Sequence, residues 1–121
     1  MKLRIEMGGA SFEAKLADTP TARALVAALP FESRAQTWGE EIYFATPVSV
    51  ELEPDARQVV DPGTVCFWTE GDSLALPFGR TPLSTDARPK LAARCNVLGT
   101  LENWKALAKV RPGTPIRVSK G

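Results

Sequence analysis

Polar and apolar residues alternate strictly from Lys2 to Met7, with Leu3, Ile5 and Met7 in one phase and Lys2, Arg4 and Glu6 in the other. Successive strand side chains point to opposite faces, so this run is a strand with one wet face. The same period returns from Ser11 to Leu16, with Phe12, Ala14 and Leu16 inward. Gly8-Gly9 between the two runs is a turn signal, so they form an N-terminal hairpin. Further along, Ile42 and Phe44 alternate with Glu41 and Tyr43 within Glu40 to Ala45. Val48, Val50 and Leu52 alternate with Ser49, Glu51 and Glu53. Val65 to Trp68 and Leu74 to Phe78 flank Thr69 to Ser73 as a second hairpin, and Asp61-Pro62-Gly63 is a turn. Arg94 to Gly99 and Pro115 to Ser119 complete the set of short strands. Nine Gly and ten Pro in 121 residues supply the turns such a chain needs, and the length fits one domain over residues 1–121.

Two segments switch to helical spacing. Thr19 is placed to cap and Pro20 suits a first helical position, where its missing N–H costs nothing. Ala22, Leu25, Val26 and Leu29 then share one face, and Pro30 stops the helix, which is expected near Thr21–Leu29. Leu101, Trp104, Leu107 and Ala108 define a second apolar face over Glu102–Lys109. Phe31 to Gly39 and Gly79 to Pro89 read as loops, and the second is long enough to carry function. Seven or eight short strands with two short helices make a mainly β domain, either a closed barrel or a sandwich.

Composition excludes several functions. The chain has no histidine, which rules out Ser-His-Asp and Cys-His catalysis within it and any histidine-ligated metal. Cys66 and Cys95 stand far apart without a C-x-x-C pattern and cannot complete a structural zinc site alone. They read as two buried thiols, and neither a metal nor another cofactor is expected. Fifteen basic against fourteen acidic residues, with the signs interspersed, argue against nucleic acid as a partner. The longest apolar run, Ala24 to Phe31, is broken by Pro30 and is too short to cross a membrane. Met1 to Glu6 carries a charge at every second position, unlike the apolar core of a signal peptide, so the expected location is the cytoplasm.

Four strings stand in order: Trp38-Gly39-Glu40-Glu41-Ile42-Tyr43-Phe44; Pro62-Gly63 before Val65-Cys66-Phe67-Trp68; Leu76-Pro77-Phe78-Gly79-Arg80-Thr81-Pro82; and Asn96-Val97-Leu98-Gly99. Together they resemble the small prokaryotic cyclophilin-like proteins, over nearly the whole chain. The resemblance implies an eight-stranded barrel closed at its ends by two helices. True cyclophilins of that fold are peptidyl-prolyl isomerases, with an apolar pocket on the barrel wall and an arginine near the prolyl nitrogen. This chain lacks their F-M-x-Q-G-G-D string, and Leu74 to Gly79 keeps only the aromatic of a Q-F-F wall. Phe31 and Arg34 echo an F-x-x-R start. Fold alone does not license function.

Arg34 is the candidate catalytic residue, because a guanidinium donates to an imide nitrogen without titrating. A solvated loop arginine is the plainer reading of the same residue. Trp38, Glu41, Tyr43, Trp68, Phe78, Arg80 and Thr81 are the candidate pocket residues. Phe67 and Phe78 fall in inward phase and read first as core. Tyr43 and Trp68 fall in outward phase, where a large aromatic needs a partner. Glu40 and Glu41 point to opposite faces and cannot work as an acid/base pair, and Glu51 and Glu53 read as a solvated strand face. The leading expectation is a binding domain for a small molecule or extended peptide. The alternatives are a prolyl isomerase and a module that forms a homodimer through its exposed aromatics.

Overall fold

The computed structural model describes residues 1–121. Ten strands form: β1 (Lys2–Met7), β2 (Ala10–Leu16), β3 (Phe31–Arg34), β4 (Gln36–Thr37), β5 (Glu41–Ala45), β6 (Arg57–Val59), β7 (Thr64–Trp68), β8 (Ser73–Pro77), β9 (Lys90–Leu101) and β10 (Pro115–Lys120). One α-helix, α1 (Pro20–Ala27), follows the first hairpin, and Trp104–Lys109 forms a 3₁₀ helix. The sheet runs β3-β10-β1-β2-β9-β7-β8-β5-β4, and β6 pairs with β9 off that path. The two ends, β3 and β4, are consecutive in the chain with only Ala35 between them, so the sheet curls into a nearly closed barrel. Ala35 is itself tied to the loop before β10, its N–H donating to the Thr114 carbonyl at 2.9 Å.

The phases of β1 and β2 decide which side is inside. Leu3, Ile5, Met7, Phe12, Ala14 and Leu16 are buried, and they join Phe44, Phe67 and Leu98 in one core of 22 buried residues. Helix α1 starts as its sequence demands, with the Thr19 hydroxyl accepting from the Ala22 N–H and Pro20 in the first turn. It buries Thr21, Ala22 and Leu25 against the barrel and ends at Ala27, two residues short of the expected Leu29.

Several expectations need correction. The barrel path has nine strands rather than eight, and β6 is a tenth strand off that path. Phe31–Gly39 is not one loop: β3 pairs with β10 and β4 with β5, in stretches too short to show a period. The second helix is 3₁₀, in which residues three apart eclipse. Leu107 is therefore buried and Trp104 half-buried, while Ala108 faces solvent. Val48 to Glu53 alternates but forms no strand: Val48 is buried, Leu52 is 45% exposed, and the backbone bonds instead to a side chain of β9.

That side chain is Asn96, fully buried. Its Oδ1 accepts from the Glu53 N–H at 2.7 Å, and its Nδ2 donates to the Glu51 carbonyl and the Thr21 hydroxyl, both at 2.9 Å. Glu53 in turn takes the Thr21 N–H at 3.2 Å and the Thr21 hydroxyl, satisfying a helix N–H that has no partner within α1. The carboxylate read as part of a solvated face is thus a cap for α1. Asn96→Ala strands three polar groups and should cost about 2–4 kcal/mol in urea denaturation with an unchanged m value; a loss below about 1 kcal/mol would show that the network carries little.

Candidate functional site

The wall formed by β5, β8 and β7 is buried on both faces, and the second cover comes from β9. The C-terminal half of β9 lies in the barrel beside β7 and β2. Its N-terminal half pairs with β6, Arg57 opposite Cys95 and Val59 opposite Lys90. This two-stranded ribbon packs on the outer face of the wall, where Val60, Leu91 and Cys95 meet Cys66 and Ala75 in a second, smaller core.

The ribbon does not cover the wall completely, and a cavity of about 130 Å³ remains between them. The wall contributes Glu41, Tyr43, Trp68 and Ala75; the ribbon contributes Leu91, Ala92 and Cys95; Trp38 completes the lining. Glu41 and Tyr43 are two apart on β5 and so share its outer face, while Ile42 and Phe44 point into the barrel. Tyr43 sits opposite Ala75 and Glu41 opposite Pro77. Trp38 is brought beside Glu41 by the two-residue loop Gly39-Glu40, closed by a 3.1 Å bond from the Trp38 N–H to the Glu41 carbonyl. Gly39 has φ +57°, and a Cβ there would come within 2.9 Å of the Arg80 carbonyl, so both the turn and the close passage of the next loop need glycine. The Trp68 ring lies against Gly71, where a Cβ would fall 2.4 Å from two ring carbons. Tyr43 and Trp68 meet edge to face, centroids 6.4 Å apart and planes at 89°.

Glu41 is the only charged residue of this lining. It is 6% exposed, and its Oε1 is buried with no hydrogen-bond partner. Burial alone pushes its carboxyl up to about 7. The Trp68 indole N–H is likewise buried without an acceptor. Cys66 and Cys95 are free thiols. Burial pushes the Cys95 thiol up to about 12 and Cys66 well above its ordinary value, so neither is a nucleophile near neutrality.

The other candidates lie elsewhere. Arg34 is exposed at the end of β3, and its guanidinium donates to the Gly113 carbonyl at 3.0 Å, outside the cavity. Phe78 is half-buried against the barrel core. Arg80 donates its backbone N–H to the Glu40 carboxylate and its guanidinium to the Ser84 carbonyl. Thr81 is buried and ties the long loop to β9 through the Lys90 carbonyl. Phe78, Arg80 and Thr81 thus do not join Trp38, Glu41, Tyr43 and Trp68 around the cavity. Ala75, Leu91, Ala92 and Cys95 carry no sequence signal for this cavity: Leu91 and Ala92 lie before the expected start of their strand, and Cys95 reads as a buried thiol.

A family model described as Cyclophilin-like matches residues 1–119. The chain belongs to the cyclophilin-like family. Among solved structures it is similar to the solution structure of a hypothetical protein from Archaeoglobus fulgidus, with 39% identity and a TM-score of 0.87. That alignment covers 100% of this chain and 95% of the other. No curated protein sequence matches the chain. No helix is long and apolar enough to cross a membrane.

Glu41 makes a sign prediction. Below the ordinary carboxyl value of 4.5 both folded and unfolded chains hold the proton, and the group is neutral to stability. Between 4.5 and about 7 the unfolded chain ionises first, so the folded state loses stability as pH rises. Glu41→Gln removes that loss. Its stability relative to the parent should improve by about 3 kcal/mol between pH 4 and pH 8, measured by denaturation at each pH. A difference that does not change with pH would show a solvated Glu41.

Proposed function

We propose that this cyclophilin-like domain is a binding module whose ligand places one small group in the cavity between the β5-β8-β7 wall and the β6-β9 ribbon. The observation that carries the reading is Glu41: a buried carboxyl whose Oε1 has no partner. Folded chains seldom keep such a group, because burying it unpaired costs free energy. A perturbed carboxyl in an apolar cleft is a common mark of a binding or catalytic site. The cavity volume of about 130 Å³ is close to the roughly 150 Å³ of an engineered cavity that holds benzene. The group inserted is therefore a single side chain of an extended peptide or the head of a small molecule.

An isomerase needs a donor fixed near the imide nitrogen. No Arg or Lys lines this cavity, and Arg34 spends a donor on the Gly113 carbonyl. The binding reading is therefore preferred over the isomerase. In an NMR exchange assay on an Ala-Pro-Phe peptide, the protein should give no acceleration, and Arg34→Ala should not differ from it. Acceleration lost in Arg34→Ala would put the isomerase reading first.

Binding itself is read from the three tryptophans. Trp38 and Trp68 line the cavity, whereas Trp104 packs over Gly63 outside it. In a titration with small neutral and charged organic molecules and capped dipeptides, the indole N–H signals of Trp38 and Trp68 should shift saturably while Trp104 stays still. Shifts spread equally over all three, or none at any concentration, would overturn the reading.

A further inference from the structure

The composition of the cavity narrows the ligand class. Three aromatic rings, Trp38, Tyr43 and Trp68, and one carboxyl, Glu41, surround it, and no basic side chain lines it. Tyr43 and Trp68 stand perpendicular, so they form a corner rather than a flat stack. Aromatic faces are electron-rich and attract cations, more strongly when water is excluded, and such cages recognise quaternary ammonium groups. A neutral apolar guest would leave the Glu41 Oε1 as it stands, buried and unpartnered. An anionic guest would be repelled by the carboxylate. A cation gives the carboxylate its missing counter-charge.

We propose that the cavity is an alkylammonium site, in which a methylated or small alkylated ammonium group sits among Trp38, Tyr43 and Trp68 with Glu41 as its counter-ion. The proposal rests on the reading above that the cavity holds a ligand, and specifies its class. The ammonium comes from a free small amine or from a lysine side chain of a peptide; both present the same head group to the cavity.

The other titrating groups around Glu41 do not supply the charge. Cys66 and Cys95 both feel Glu41 as a neighbour, and burial keeps them as neutral thiols. Glu70 acts on Cys95 and would add to the attraction for a cation, whereas Arg57 acts on Cys66 from the β6 side and would oppose it. On β9, Lys90 and Arg94 lie outside the lining, the Arg94 guanidinium being directed to the Ala56 carbonyl. Next to Glu41, Glu40 is engaged by the Arg80 N–H.

The test uses the full chain and three probes: tetramethylammonium chloride, tert-butanol as a neutral guest of similar shape, and an Ala-Lys-Ala peptide with a trimethylated lysine. Tetramethylammonium should shift the Trp38 and Trp68 indole signals and bind at least about tenfold tighter than tert-butanol. Its affinity should rise about tenfold from pH 6 to pH 8 as Glu41 ionises around 7. Glu41→Gln should abolish both the preference and the pH dependence, while the Trp104 indole signal, outside the cavity, stays in place, which shows that the variant remains folded. Tighter binding of the peptide than of tetramethylammonium identifies a lysine side chain as the source; equal or weaker binding identifies a free amine. Equal affinity for tert-butanol and tetramethylammonium, with no effect of Glu41→Gln, would overturn the ammonium proposal and leave the cavity a neutral-ligand site. Failure of every probe, the neutral one included, to move Trp38 or Trp68 would overturn the ammonium proposal and count against ligand binding in the cavity at all.

Discussion

Asn96 stands where β9 changes partners. One residue before it, Cys95 pairs with Arg57 of β6; Asn96 itself pairs with Phe67 of β7 inside the barrel sheet. The side chain fixes that crossing by bonding to α1 and to the Val48–Glu53 segment at once. A buried amide is tolerated only when its polar atoms are matched, and here one acceptor and two donor contacts are made. The helix, the connection after β5 and the long strand are therefore held in one geometry. The direction in which β9 leaves the barrel, and hence the ribbon over the outer wall, depends on that hold.

The ribbon turns a barrel face that would otherwise be wet into a second core. Leu91, Cys95 and Val60 cover Cys66 and Ala75, with Tyr43 and Trp68 packed against them, and the cover leaves a gap lined by Glu41 and Trp68. What remains is a recess with apolar walls and a low local dielectric. A carboxyl in such a place favours its protonated form. The same desolvation strengthens any attraction between the carboxylate and a cation entering beside it. The glycines at 39 and 71 serve the same recess: one lets the β4-β5 turn bring Trp38 to Glu41, and the other lets the Trp68 ring lie flat on its own loop.

Much of the barrel was legible because its strands have one dry face. Leu3-Ile5-Met7 and Phe12-Ala14-Leu16 declare their inward side through the period of two, and Thr19-Pro20 declares the start of α1. The strand count was not legible. β3 and β4 are four and two residues long, and a false alternation at Val48–Glu53 hid a segment bonded to Asn96. The cavity was legible in part: Tyr43 and Trp68 showed themselves as aromatics in outward phase, and Trp38 and Glu41 stand in the string shared with the family. The burial of Glu41 was not, because it depends on the β9 ribbon, which is remote in sequence. Arg34, Phe78, Arg80 and Thr81 entered through loop position and family echo, neither of which fixes where a side chain points.

The central claim is that Glu41 is a buried, unpaired carboxyl poised near neutrality. The most direct measurement is its own titration, by carbon-13 NMR of glutamate-labelled protein, with Glu41→Gln used to assign the signal. A midpoint near 7 is the result this account predicts. A midpoint at the ordinary carboxyl value of 4.5 would contradict it, because Glu41 would then be solvated and the recess would have no reason to seek a cation.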